Sequence, residues 1–391
     1  MLMRANRMSP MMFVIMMGIV SLFSDMTHEG ARSITGPFMA LLGANATIVG
    51  FVAGFGELVG YALRLVSGLI TDRTEKYWAI TIVGYLVNMA AVPLLALADR
   101  WEIAAFFIIA ERMGKAIRNP VRDAMLSHAT VEMGRGWGFG LHEMMDSTGA
   151  MMGPLIVAAV LYFKGSYQTG FIFLLIPAVL TIIVLITAKM LYPHPKDLEH
   201  TLPEFEPKGF PITYWIFLAA MVLNAAGYAD FPLIGYHFQK ASVVSKDWIP
   251  IFYSVAMGAS AVSALIFGRL FDRRGLSIII FAVVLSSMFA PLVFLGGFGL
   301  SLTGMALWGV GIGAHESIMR AAVAGMVRRD RRATAYGIFN TGYGVFWFLG
   351  SFLMGFLYDF SLPYLIVFSV ISQLVSVPLL FAVKRRSRLL R

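Results

Sequence analysis

The chain has 391 residues, of which 58% are hydrophobic and 14% are charged, and its formal net charge is +9. A soluble domain carries about 25% charged residues, so this composition excludes a disordered chain, a nucleic-acid-binding domain and an ordinary cytosolic enzyme. Many apolar runs reach the roughly 20 residues that cross a bilayer as a helix, which indicates helices rather than a β-barrel. The chain has no cysteine and its histidines are scattered, so we expect neither a metal site nor a cofactor.

Twelve candidate transmembrane spans follow one another along the chain. They occupy residues 11–41, 47–70, 78–98, 102–123, 137–163, 168–190, 213–239, 248–271, 277–297, 300–326, 334–358 and 362–383. The first span follows Arg4 and Arg7 and continues past the length of a signal peptide, so we expect it to be retained. The prediction is an all-α integral membrane protein with no separate soluble domain.

A polar, proline-rich stretch divides the spans into two sets. We therefore predict an N-terminal six-helix bundle over 1–191, a cytoplasmic linker over 192–211 and a C-terminal six-helix bundle with a basic tail over 212–391. Lysine and arginine concentrate in both tails and in one set of loops. The opposite loops hold only Arg100, Lys164, Lys240 and Lys246. The positive-inside rule then places both termini in the cytoplasm of a multi-pass inner-membrane protein, with lipid rather than nucleic acid as its surroundings.

Charged residues inside the spans fall on single helix faces, although each costs about 2.5–3.5 kcal/mol at a helix centre. Such stripes either hold helices together as ion pairs or line a transport path. Buried ion pairs stabilise poorly, so we favour the path. The predicted proton-coupling residues are Asp25, Glu29, His142, Glu143 and Asp146, with His142 as a relay partner. The predicted substrate-binding residues are Arg32, Glu57, Glu111, Lys115, Arg118, Arg122, Asp230, His315, Glu316 and Arg320.

The two halves repeat short sequences at corresponding places. Gly68, Asp72 and Arg73 follow the second span, and Gly268, Asp272 and Arg273 follow the eighth. Asp25 of the first span corresponds to Asp230 of the seventh. A parallel repeat of six spans is one plan on which transporters are built.

These repeated loops resemble the loop signature of the major facilitator superfamily. The resemblance covers all twelve predicted spans and implies two pseudo-symmetric six-helix bundles. It also implies that Asp72 and Asp272, with the neighbouring arginines, latch a cytoplasmic gate. The first copy departs from the family pattern, since Glu75 stands where the second copy has Gly275.

Span 5 carries a second resemblance, to a motif of proton-coupled antiporters in the same superfamily. The matching residues are Gly140, Gly149, Gly153 and Pro154, whereas Val157 and Ala158 replace the final glycine pair of the motif. The resemblance implies export of a small molecule in exchange for protons. An alternative on the same fold is proton-coupled import, or facilitated transport, of an organic anion or zwitterion. A second alternative is a membrane enzyme or receptor that transports nothing. We expect a monomer.

Overall fold

A computed structural model describes residues 10–74, 76–129, 135–193, 209–327 and 332–389. Within these residues the chain is almost entirely helical. The helices are α1 Pro10–Leu41, α2 Ala46–Thr74, α3 Tyr77–Leu94, α4 Trp101–Ala129, α5 Arg135–Lys164, α6 Tyr167–Phe173, α7 Leu175–Leu191, α8 Ile212–Ala226, α9 Phe231–Lys240, α10 Trp248–Arg274, α11 Ser277–Ser287, α12 Phe289–Leu295, α13 Phe298–Met326, α14 Arg332–Phe360 and α15 Leu362–Leu389.

Ten stretches of the described chain are long and apolar enough to cross a membrane. α4 and α13 are not among them, although each has 29 residues. α4 carries a stripe of acidic and basic residues, and α13 is rich in glycine. When these two helices are included, each of the twelve predicted spans has a helical counterpart.

Three of the predicted spans consist of two helices each, with a short break inside the span. Span 6 is divided between α6 and α7, and span 9 between α11 and α12. Pro177 and Pro291 follow these breaks within four residues. A proline cannot donate the hydrogen bond to the residue four positions before it, which ends the first helix there.

The break in span 7 is longer and carries a charged residue. α8 ends at Ala226 and α9 begins at Phe231, with Asp230 as its N-cap and Pro232 in its first turn. The Asp230 side chain accepts a hydrogen bond from the backbone N–H of Phe231 at 2.9 Å. An acidic N-cap and an early proline are the usual start of a helix.

The described helices fall into two compact units. Unit 1 lies within Met1–Ala31, Ala62–Ala98 and Glu102–Leu202. Its apolar core brings together α1, α3, α4 and α7, with Met17, Tyr85 and Leu185 completely buried. The edge of the Phe13 ring meets Trp78, whose indole N–H donates to the carbonyl of Tyr192 at 2.7 Å.

Unit 2 lies within Arg32–Tyr61, Asp99–Trp101 and Pro203–Arg391. It contains the end of α1 and the start of α2 together with the C-terminal helices. The start of α2 packs on α14 at glycine positions, since a Cβ added at Gly50 would overlap the carbonyl oxygen of Ser351. A Cβ added at Gly36 of α1 would likewise overlap the carbonyl of Pro232 in α9. Small residues permit this close packing of helix backbones.

Candidate functional site

A group of buried charged side chains in unit 1 lies between α1 and α4. We call it the α1–α4 charge cluster. Its members are Asp25, His28 and Glu29 of α1 and Glu111, Arg112, Lys115 and Arg118 of α4. Residues three or four apart share one face of a helix, so the stripes seen in the sequence face each other in the structure.

His28 occupies the centre of this cluster. Its Nδ1 atom is 2.5 Å from Oε1 of Glu111, and the Asn88 side chain donates to the same oxygen at 2.6 Å. Nε2 of His28 is 3.4 Å from Oε1 of Glu29, and Nζ of Lys115 is 3.7 Å from that oxygen. The structure thus brings together Glu29, Glu111 and Lys115, which the sequence predicted, around a histidine that it did not.

Arg118 lies at one end of the α1–α4 charge cluster and is fully buried. Its guanidinium lies 4.3 Å from the centre of the Tyr85 ring. It donates to the Tyr85 hydroxyl at 3.0 Å and to Oγ of Ser24 at 2.8 Å. Its distance to Oδ1 of Asp25 is longer, at 3.7 Å. Two neutral hydroxyl groups therefore hold this cation by hydrogen bonds, and Asp25 is a more distant partner.

Two predicted proton-coupling residues, Asp25 and Asp146, share an unusual feature. The Oδ1 atom of each is buried and accepts no hydrogen bond from the described part of the chain. Most buried polar atoms in proteins have a hydrogen-bond partner, so each exception needs an explanation. These two carboxylates are the least satisfied of the predicted set.

The predicted relay at His142 has a different geometry from the one expected. His142 is buried, and its Nε2 atom lies 2.9 Å from Oγ of Ser21. Arg122 donates to the same serine at 2.9 Å and to the carboxylate of Asp123 at 2.9 and 3.0 Å. Glu143 is exposed. A serine, not a carboxylate, therefore joins His142 to Arg122 in the structure.

Unit 2 contains a second buried ion pair. Arg32 donates to Oδ1 of Asp230 at 2.6 Å and lies 3.7 Å from Glu57. Asp230 also accepts from the Phe231 backbone, and from the Trp347 indole N–H at 3.4 Å. Only 1% of the Asp230 side chain is exposed. The predicted residues Arg32, Glu57 and Asp230 thus come together, with Asp230 fully hydrogen-bonded.

Other predicted substrate residues lie elsewhere in unit 2. His315 is buried, with its Nε2 atom 3.1 Å from Nδ2 of Asn224 and its ring against Tyr228. Glu316 and Arg320 belong to α13, but their side chains lie outside the described residues.

The loop signature is described only in part. Gly68, Asp72 and Arg73 lie in the last turns of α2, and Asp272 in the last turn of α10, but their side-chain surroundings are outside the described residues. Gly268 has open space where a Cβ would be, and Arg273 is exposed. Gly275, with φ +60°, ends α10 in a conformation that favours glycine.

Two glycines of the span 5 motif are contact points with α1. A Cβ at Gly149 would overlap the carbonyl oxygen of Leu22, and one at Gly153 would overlap that of Met26. The surroundings of Gly140 are outside the described residues, and Pro154 is buried in α5. These glycines hold α5 against the part of α1 that carries Asp25.

A family model of the Major Facilitator Superfamily matches residues 11–351. The chain belongs to this superfamily. Membership identifies a multi-pass membrane transporter and sets aside the alternative of a membrane enzyme or receptor. It also confirms the predicted fold class.

Relatives within the superfamily span nearly the whole chain. Protein Rv2265 of Mycobacterium tuberculosis is 36% identical over 381 residues, which are 95% of this chain and 93% of the relative. The MFS-type transporter MJ1317 of Methanocaldococcus jannaschii is 27% identical over 363 residues, 89% of each chain. Multidrug resistance protein MdtH of Proteus mirabilis is 35% identical over 119 residues, 30% of each chain.

The solved structure of the nucleoside transporter NupG has the same superfamily fold. It matches with a TM-score of 0.74 over 95% of this chain and 98% of NupG, at 14% sequence identity. At that identity the likeness concerns the fold.

The sequence did not single out several residues that complete the site. His28 lies three residues after Asp25, on the face that the charge stripe already marked. Asn88 and Tyr85 belong to α3, whose predicted span carries no charge in its interior. A search restricted to ionisable residues at repeated spacing could find His28 but not these neutral partners.

Proposed function

We propose that the protein is a proton-coupled exporter that moves a small organic compound out of the cell by alternating access. The observation that carries the proposal is the pair Asp25 and Asp146, whose Oδ1 atoms are buried without a hydrogen bond from the described residues. An ionised carboxylate is costly in such surroundings, and proton uptake removes the cost. Protons that enter through these groups would supply the driving force.

The direction of transport is supported by two features. One is the partial similarity to MdtH, which is named as a multidrug resistance protein. The other is the glycine contact of α5 with α1 at Gly149 and Gly153, within a motif that is similar to that of antiporters. The first feature is a similarity to a protein named for drug resistance, and the second is a similarity to a motif of proton-coupled antiporters.

The proposed substrate-binding groups are charged or titratable side chains of the predicted spans. They are Arg32, Glu57, Glu111, Lys115, Arg118, Arg122, Asp230, His315, Glu316 and Arg320. The Gly68/Asp72/Arg73 and Gly268/Asp272/Arg273 loops would act at the cytoplasmic gate of a monomer with both termini in the cytoplasm of the inner membrane.

The test is a proton-flux assay in proteoliposomes that contain a pH-sensitive dye. A pH gradient is imposed and candidate compounds are added, and proton movement opposite to the compound indicates export by exchange. The double variant Asp25→Asn, Asp146→Asn should lose this coupled flux by at least about 100-fold, because neither amide can take up a proton. The matched control is Asp99→Asn, because Asp99 is an exposed acid outside the α1–α4 charge cluster and the Arg32–Asp230 ion pair. Unchanged coupling in the double variant would overturn the assignment.

A second candidate is proton-coupled import of an organic anion. It is favoured by partly exposed cations, since the Lys115 and Arg32 side chains are 18% and 15% exposed. The same assay separates the two candidates, because protons and compound then move in the same direction.

A further inference from the structure

The last helix of the chain is longer than a membrane crossing requires. α15 runs from Leu362 to Leu389 and has 28 residues, which is roughly 42 Å at a rise of about 1.5 Å per residue. The hydrocarbon core of a bilayer is about 30 Å thick, so about 20 residues complete a crossing. Counted from Leu362, the crossing ends near Phe381. The helix therefore continues beyond the hydrocarbon core into the headgroup region.

Basic residues fill this continuation of the helix. Lys384, Arg385, Arg386 and Arg388 belong to α15, and Arg391 follows it. The helix contains no acidic residue. Arg385 and Arg386 are exposed, and neither forms an ion pair with a carboxylate of the described residues. The described part of the chain thus supplies no counter-charge for these two arginines.

The turn before the arginines has one face toward the protein and one face toward the surroundings. Leu380 and Val383 are completely buried, whereas Phe381 is 52% exposed. Nζ of Lys384 is 6.0 Å from the centre of the Phe381 ring, which is the outer distance of a cation–π contact. Aromatic and basic residues are both typical of the ends of membrane-spanning helices. The outer face of α15 therefore has the composition of a membrane–water interface.

Hydrogen bonds farther along α15 fix its position relative to α8. Ser372 donates to the carbonyl of Leu223 at 2.6 Å, and Ser369 donates to that of Gly227 at 2.6 Å. The basic residues thus belong to a helix that is held by its neighbour, so their depth relative to α8 is set by the fold.

The positive-inside rule explains why basic residues follow the last span, but it does not explain why the helix continues through them. Orientation depends on the number of lysines and arginines near the end of a span. A helix adds a fixed arrangement, in which residues four apart share a face, as Phe381 and Arg385 do. Clusters of about four to eight basic residues directly cytoplasmic of a transmembrane helix are typical of proteins that bind anionic lipid headgroups.

We propose that the cytoplasmic end of α15 is a docking surface for the headgroups of anionic phospholipids, with Arg385 and Arg386 as the principal phosphate-binding side chains. A guanidinium group suits a phosphate because its planar array of N–H groups can bind two oxygens at once. Phe381 would lie among the acyl chains below the headgroup. The cytoplasmic position follows from the orientation proposed above, whereas the docking itself depends neither on the substrate nor on the direction of transport.

The absence of cysteine from the chain allows a fluorescent donor to be attached to a single introduced cysteine. Ser387→Cys places the donor directly after the two arginines, and Ser245→Cys places it in the exposed segment before α10 as the matched control site. The full chain is reconstituted in phosphatidylcholine nanodiscs that contain a trace of lipid with an acceptor on its acyl chain. This lipid is either phosphatidylglycerol or phosphatidylcholine, and energy transfer measures how strongly each is enriched beside the donor.

We expect phosphatidylglycerol to be enriched about fivefold over phosphatidylcholine beside the first donor site, which is the contribution of one basic residue near a membrane surface. We expect no enrichment beside the control site. High salt should reduce the enrichment, because it screens exposed charges. The double variant Arg385→Gln, Arg386→Gln should reduce it to less than about twofold. The control variant Lys240→Gln, Lys246→Gln, at two exposed lysines, should leave it unchanged.

Equal enrichment at the two donor sites, or enrichment that survives the loss of both arginines, would overturn the proposal. Excess glycerol phosphate tests whether a soluble anion occupies the surface instead of a lipid. Unchanged enrichment supports the lipid, and loss of enrichment overturns the assignment to a lipid. The signal from phosphatidylcholine should be the same in all variants, which verifies that the substituted proteins are still folded.

Discussion

The two buried acid clusters differ in how well their carboxylates are satisfied. In unit 2, Asp230 accepts from Arg32 at 2.6 Å, from the Phe231 backbone and from Trp347. In unit 1, Asp25 meets Arg118 only at 3.7 Å and has a buried oxygen without a hydrogen bond from the described residues. A fully bonded acid stabilises its ionised form, whereas a poorly bonded one gains most from a proton. Residues that correspond in the repeated sequence therefore have different surroundings in the structure.

The largest effect should come from breaking the tighter pair. Asp230→Asn removes the charge that balances buried Arg32, and loss of one partner of a buried pair costs about 3–5 kcal/mol. Asp25→Asn should change the free energy of unfolding by less than about 1 kcal/mol, because it removes a long, weak contact. Unfolding of both purified variants in a denaturing-detergent titration measures the difference. Equal destabilisation would contradict the comparison.

A second prediction concerns the helix spacing that positions the unit 1 acids. Gly149→Ala would place a methyl group against the Leu22 carbonyl and push α1 away from α5. Overpacking of this kind costs about 1–3 kcal/mol. Gly60→Ala is the matched control, since a Cβ there meets nothing within 4 Å, and alanine is favoured over glycine in a helix. The same denaturation assay should show a loss for the first variant and no loss for the second.

A smaller effect is expected at the end of α14 in unit 2. The Asp359 carboxylate accepts from the backbone N–H groups of Ala46 and Thr47 at 3.1 and 2.8 Å, and so caps the start of α2. Asp359→Ala should cost about 1 kcal/mol, the usual cost of replacing an N-cap acceptor by alanine. Asp247→Ala is the control, because Asp247 precedes α10 without a side-chain cap hydrogen bond. Equal thermal stability of the two variants would show that the cap contributes nothing.

Much of the fold was predictable because the membrane imposes it. The lengths of the apolar runs predicted where the helices lie. α4 was predicted despite its charged residues, because these recur on one face of the helix. The breaks near Leu174, Met288 and Tyr228 were missed, because hydropathy averages over a proline or an aspartate that interrupts the backbone hydrogen bonds. The grouping of residues 32–61 with the C-terminal helices also has no signal in composition.

The candidate site was predictable where it depends on charge and spacing. The charged stripes on α1 and α4 predicted Asp25, Glu29, Glu111 and Lys115, which the structure brings together in the α1–α4 charge cluster. How tightly each carboxylate is held depends on contact distances, which the sequence does not give. No spacing distinguishes the 2.6 Å contact of Asp230 from the 3.7 Å contact of Asp25, and no charge marks the neutral partner Asn88.

The interruption between α8 and α9 is fastened by side chains from other helices. Ser369 and Gln373 donate to the carbonyl of Gly227, and the Trp308 indole N–H donates to that of Ala229. A gap secured in this way does not flex freely as a hinge. A displacement of α9 therefore acts on α13 and α15 through these hydrogen bonds, so a movement at Asp230 would reach two further helices.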